Sequence, residues 1–64
     1  MGKRRNRWIS CDDIMPQDFY DKELKDSDGN ILIGYWRPDA NAWENDEDGW
    51  IEADIVEWRN LPLH

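Results

Sequence analysis

Asp28-Gly29-Asn30-Ile31-Leu32-Ile33-Gly34-Tyr35-Trp36 is the run that decides the fold of this 64-residue chain. Asp-Gly-Asn makes a tight turn, because Gly tolerates positive φ and Asp and Asn bond to their own backbone. The residues that follow are mostly branched, aliphatic or aromatic, the types that suit a pleated, half-buried surface. A strand opening on such a turn predicts a hairpin. Toward the C-terminus, Arg37-Pro38-Asp39-Ala40-Asn41 reads as a second turn, Ala42-Trp43-Glu44 as a short strand and Asp48-Gly49 as a third turn. From Trp50 the pattern alternates, with Ile51, Ala53 and Ile55 on one side and Glu52 and Asp54 on the other, which predicts a half-buried antiparallel strand with an acidic outer face. Val56 and Trp58 then fall out of phase, and a β-bulge near Ile55-Val56 accounts for the slip. Leu61-Pro62-Leu63 is expected to close the sheet, with Pro62 blunting its edge.

Toward the N-terminus the signals weaken. Phe19, Tyr20 and Leu24 share one face of a two-turn helix over residues 17–25, and Ser10 with Asp12 and Asp13 suits either a helix cap or a loop leading to Met15-Pro16. Trp8-Ile9 begins the folded part. The expected fold is mainly β, with a small α+β arrangement as its variant: a single antiparallel sheet of three to four strands and at most one short helix. Residues 1–7 form a basic arm and 8–64 a single small domain.

A chain of this length buries only about 60% of the surface its unfolded form exposes, so core material is scarce. Five tryptophans answer that shortage. Each indole buries about 150–250 Å² of surface, so most of the five are needed inside and one or two remain for a partner. Homodimer formation would relieve the same shortage.

The net charge of −7 hides a division. Lys3, Arg4, Arg5 and Arg7 make the arm basic, whereas residues 8–64 hold four basic side chains against fifteen acidic, a net of −11. Such a body repels nucleic acid and anionic lipid and attracts basic proteins over about a Debye length. Direct nucleic-acid binding is therefore disfavoured. Cys11 stands alone as a small, partly buried apolar residue, and with only the terminal His64 beside it in composition it makes neither a disulfide, a zinc site nor a Cys-His pair. No run is long enough to span a bilayer and no apolar segment follows the basic start, so a reducing, cytosolic setting is expected, with no membrane contact.

Trp36, Trp43 and Trp50 recur every seven residues, but Gly34, Pro38 and Gly49 exclude a continuous coiled-coil helix, and the acidic neighbourhood excludes base-stacking platforms. They are expected to be core rings of successive hairpins. The stretch from Glu44 resembles a calcium loop at Asp46, Asp48 and Gly49 but has Ile55 where the bidentate Glu belongs, so an ordinary Asp-Gly turn is expected and no metal. Paired carboxylates could serve acid–base chemistry only if an apolar pocket raised one pKa, for which so small a chain has little room. No phosphate loop or nucleophile motif appears, so the chain is read as no enzyme, with no catalytic residues and no cofactor.

What remains is an acidic surface. Glu44, Asp46, Glu47, Asp48, Glu52, Asp54 and Glu57 lie in a stretch without a basic residue. They are the candidate partner-binding residues, set against the plainer alternative of a solubilising face. Imitation of a nucleic-acid backbone is one use of such a surface. Acids at i and i+2 along a strand are about 6.7 Å apart, whereas duplex DNA presents a charge every ~1.7 Å, so mimicry requires the Glu44–Asp48 loop to be joined by the Asp18/Asp21/Glu23/Asp26/Asp28 segment or by a second subunit. Lys3, Arg4, Arg5 and Arg7 are either a solvated tail or a hook for phosphates or a partner.

Trp8-Ile9-Ser10 with Asp12-Asp13 and Met15-Pro16, Gly29-Asn30-Ile31-Leu32-Ile33-Gly34-Tyr35-Trp36, and Ile55-Val56-Glu57-Trp58 with Leu61-Pro62 together resemble the phage and prophage domain of unknown function numbered 551, over residues 8–62. The resemblance implies a small bacteriophage accessory protein acting in the host bacterial cytoplasm, and it brings no catalytic residues. The expected function is an acidic protein-binding module that occupies the basic surface of a host nucleic-acid-binding protein and inhibits restriction, CRISPR or recombination machinery. The alternatives are a DNA-associated regulator that uses the basic arm and a structural or assembly accessory protein.

Overall fold

A computed structural model describes residues 7–62. It is mainly β, with no helix among the described residues. Six strands, β1 (Ile9–Ser10), β2 (Lys22–Asp26), β3 (Ile31–Arg37), β4 (Ala42–Asn45), β5 (Gly49–Trp50) and β6 (Ile55–Asn60), form one antiparallel sheet in the order β1-β6-β2-β3-β4-β5. The expected three to four strands are thus corrected to six, since β1 and β5 are two-residue pairings too short to leave a periodic trace.

The turn before β3 forms as expected, with Gly29 at φ 88°. Asp26 organises it: its Oδ1 accepts the N–H groups of Asp28 and Asn30 at 2.9 and 2.8 Å. β3 then changes partners along its length. Ile31 to Gly34 pair with β2, whereas Tyr35 to Arg37 pair with β4. Gly34 is required at that change, because a Cβ there would lie 2.7 Å from Ile51 Cδ1 and 2.8 Å from the Glu44 carbonyl oxygen.

The inner face carries the core. Leu24 is fully buried, flanked in one row by its cross-strand neighbours Trp58 and Leu32, and Trp43, Ile55, Ile9, Cys11, Met15, Trp36 and Ile51 complete the cluster. Trp36 and Trp43 face each other across β3 and β4 and meet edge to face at 5.2 Å. The indole N–H of Trp58 donates to the Ile14 carbonyl at 2.9 Å, which ties the Cys11–Pro16 connection over the sheet.

Several expectations change. No helix forms over 17–25: Phe19 and Tyr20 are exposed, and Lys22, Leu24 and Asp26 alternate inward as a strand. A charged inward face is tolerated because the Lys22 ammonium donates to Asn60 Oδ1 at 2.7 Å and pairs with Asp18 at 2.9 Å. Ser10 caps a turn rather than a helix, its Oγ accepting the Asp12 N–H. The strand expected from Trp50 through Ile55 is broken, since residues 51–54 connect β5 to β6. The phase slip is where the sequence suggested: Lys25 opposes Glu57 and Asp26 opposes Ile55, so Val56 is the extra residue of a bulge. Of the heptad-spaced tryptophans, Trp43 is buried and Trp36 packs against the core, but Trp50 is 52% exposed.

Candidate functional site: an acidic cleft beside β3

The seven carboxylates singled out by sequence have separate fates. Glu44 lies on β4 opposite Tyr35 and is occupied: its Oε1 accepts the Tyr35 hydroxyl at 3.0 Å and the Arg37 guanidinium at 2.9 Å. Arg37 also forks onto both oxygens of Asp39 at 3.1 and 3.0 Å, and its pKa is raised well above the ordinary arginine value by Asp39 first and Glu44 second. Glu57 faces the Lys25 ammonium at 3.4 Å. Both carboxylates are thereby drawn into the sheet's own ion pairs.

Asp46, Glu47 and Asp48 stay exposed in the turn between β4 and β5. Asn45 builds that turn, because its Oδ1 accepts the N–H groups of Glu47 and Asp48 at 3.1 and 2.6 Å and leaves the three carboxylates to solvent. Gly49, at φ 78°, lets the chain return. Across from the turn stands Asp21, just before β2. Together Asp21, Asn45, Asp46, Glu47 and Asp48 surround a cleft of about 500 Å³ that Leu32 and Ile33 line from β3. Four carboxylates around an apolar strip hold the long aliphatic stem and charged head of a lysine or arginine well.

Glu52 and Asp54 lie in the connection from β5 to β6 and do not line this cleft. The Asp54 carbonyl accepts the Ser27 N–H at 2.9 Å, which places that connection beside the turn between β2 and β3. Asp54, Glu57 and Asp12 act on Cys11, whose thiol is pushed up first by burial and then by these three charges. The segment required to reinforce the acidic loop contributes one member, Asp21. Asp18 is held by Lys22, Glu23 pairs with Arg59 at 2.6 Å, and Asp26 is buried in its turn.

On the outer face Trp8 anchors the start of the domain. Its indole meets two cations, the Lys25 ammonium at 4.4 Å and the Arg59 guanidinium at 4.0 Å from the ring centre. Arg7 is exposed just ahead of it, while Lys3, Arg4 and Arg5 lie outside the described residues, as do Leu63 and His64. A second cleft of about 640 Å³ is lined by Tyr20, Leu61 and Pro62 with Asp18, Asp21, Lys22 and Asn60. Its buried ammonium is already satisfied by Asp18 and Asn60.

Among the described residues no three His, Cys, Asp or Glu side chains are gathered to hold a metal, and no helix is long and apolar enough to cross a membrane. Asp21 is the site residue that the sequence does not place in the site itself, because residues 17–25 read as a helix and the strand that Asp21 precedes carries charged residues on its inward face. Compared with protein-family models, curated proteins and solved structures, the chain matches none.

Proposed function

We propose that this protein is a non-enzymatic binding module that uses the cleft formed by Asp21, Asp46, Glu47 and Asp48 to occupy a basic surface of a nucleic-acid-handling protein. The observation that carries the reading is the cleft itself: the four carboxylates that line it with Leu32 and Ile33 have no ion-pair partner among the described residues, while Glu44 and Glu57 are consumed by Arg37 and Lys25. Three consecutive acids, with Cα atoms ~3.8 Å apart, also bring the local charge density closer to that of a phosphate backbone than one strand face does.

The partner's Lys and Arg residues, which would otherwise hold phosphates, are drawn to this end of the protein by its field. The partner is then blocked from DNA or RNA. The resemblance to the phage domain supports a bacteriophage accessory role in the bacterial cytoplasm, and a host defence or recombination protein as the target follows by analogy with other small acidic phage proteins. The test is capture from a bacterial lysate by the wild-type chain and by a double variant, Asp46→Lys with Asp48→Lys. Wild type is expected to retain basic nucleic-acid-binding proteins that added DNA releases, and the variant to lose them. Equal retention by both chains contradicts the proposal.

A further inference from the structure

The cleft lies along a strand edge that no described strand covers. β3 pairs with β2 over Ile31–Gly34, but its other edge pairs with β4 only from Tyr35 to Arg37. Continued by two more pairs, the β4 register would set Asn45 opposite Gly34 and Asp46 opposite Ile33; instead β4 ends at Asn45, whose side chain turns the backbone away. The direction of the free groups follows from the ladder. Ile51 N–H donates to the Trp43 carbonyl at 2.9 Å, so the Trp43 backbone faces away from β3 and Tyr35 and Arg37 are the β3 residues bonded to β4. By the two-residue alternation of a strand, the N–H and C=O of Ile31 and Ile33 point to that same edge, where no described strand meets them. Their side chains are 49% and 45% exposed on the outer face.

We infer that the cleft binds its partner by strand addition: an extended basic segment, with Lys or Arg at every second position, lies antiparallel to β3 where β4 stops and bonds to the backbone of Ile31 and Ile33. This rests on the proposed role of the acidic cleft and narrows the partner from a folded basic surface to an extended peptide. Charge complementarity selects the occupant. In an antiparallel ladder the residues opposite Ile31 and Ile33 share their face, so basic side chains there lay their stems on the two isoleucines and reach Asp21 and the Asp46–Asp48 turn with their heads. Unpaired edges recruit strands through main-chain bonds, and the carboxylates supply the preference for positive sequences.

The probe is a fluorescein-labelled octapeptide of alternating arginine and threonine, titrated by anisotropy into the full-length protein, with amide exchange followed by NMR. Binding is expected to protect the Ile31 and Ile33 amides. Methylating the backbone nitrogens of the arginines removes the donors aimed at β3 and should weaken binding at least about tenfold, whereas methylating the threonine nitrogens should leave it within about twofold. In the protein, Ile33→Pro removes a donor that β2 does not use, so the variant should keep its thermal transition and lose affinity.

If both methylated peptides bind alike and the two amides stay unprotected, strand addition is wrong even if Asp46→Lys with Asp48→Lys abolishes binding, in which case the acidic cleft itself stands. Indifference to the charge reversal sinks the acidic reading instead. Protection of Ile31 and Ile33 without peptide also overturns the inference: protection that rises with protein concentration assigns the edge to a second copy, and protection lost on deleting residues 1–7 assigns it to the chain's own arm.

Discussion

Gly34→Ala should be among the most damaging single-methyl additions to this protein. The new Cβ would stand 2.7 Å from Ile51 Cδ1, 3.2 Å from Leu24 Cδ1 and 2.8 Å from the Glu44 carbonyl oxygen. The Ile51 tip can swing aside. The Glu44 carbonyl cannot, because Glu44 pairs with Tyr35 in the ladder and its side chain is held by Tyr35 and Arg37. β4 must therefore back away from β3, and overpacking of this kind costs roughly 3 kcal/mol, offset by ~0.7 kcal/mol from the reduced freedom of the unfolded chain. The net loss of about 2 kcal/mol corresponds to a fall in Tm of roughly 8–16 °C for a domain of this size. Thermal melts followed by circular dichroism measure it. A Tm within about 3 °C of wild type would refute the close approach of β3 and β4 on which the geometry of the cleft depends.

Three further outcomes follow from the contacts around the core. The Asp26 carboxyl is held below its usual range chiefly by the Asn30 backbone N–H, aided by the Asn30 side chain and the Asp28 N–H; a lowered folded-state pKa gives stability that is complete above the unfolded value near 3.9 and is lost as pH falls through the folded value, so the Tm advantage of wild type over Asp26→Asn should shrink between about pH 5 and pH 2 in thermal melts, and a gap that stays constant contradicts it. Burial and the neighbouring Asp12, Glu57 and Asp54 raise the Cys11 thiol, so iodoacetamide at about pH 8 should alkylate it at least ~5-fold more slowly than free cysteine, and equal rates would count against the packing of Cys11 on the core. Trp58→Phe removes the donor to the Ile14 carbonyl and should cost about 1–3 kcal/mol in urea denaturation, whereas Trp50→Ala, at an exposed ring, should cost about 0.5 kcal/mol or less; the reverse order would contradict the assignment of core and surface indoles.

The legible and illegible parts of the sequence divide on physical grounds. β3 and β4 could be read because Ile31–Trp36 and Ala42–Glu44 are β-formers bounded by Asp-Gly and Arg-Pro-Asp turns, and the bulge because Val56 breaks a two-residue period that Trp58 resumes on the ladder. β2 could not: two of its three inward residues are Lys22 and Asp26, and a charged inner row becomes acceptable only once Asp18 and Asn60 reach Lys22 and the Asn30 turn wraps Asp26, contacts invisible to periodicity. At the site, the exposed run Asp46-Glu47-Asp48 was plain from composition. The loss of Glu44 to Arg37 depends on a hairpin register, and the gain of Asp21 depends on a neighbour twenty-five residues away. Such pairings are properties of the sheet, not of any local stretch.

On the proposed reading, the four cleft carboxylates, unpaired among the described residues, create the binding surface rather than acidity in general. Two charge-matched variants test it against the alternating basic peptide: Asp46→Asn with Asp48→Asn in the cleft, and Glu52→Gln with Asp54→Asn outside it. Both remove two negative charges, but the first pair should weaken binding about tenfold or more and flatten its salt dependence, and the second should change it less than about twofold. Equal losses from the two pairs would mean that net charge alone attracts the peptide, and the cleft would have no special role.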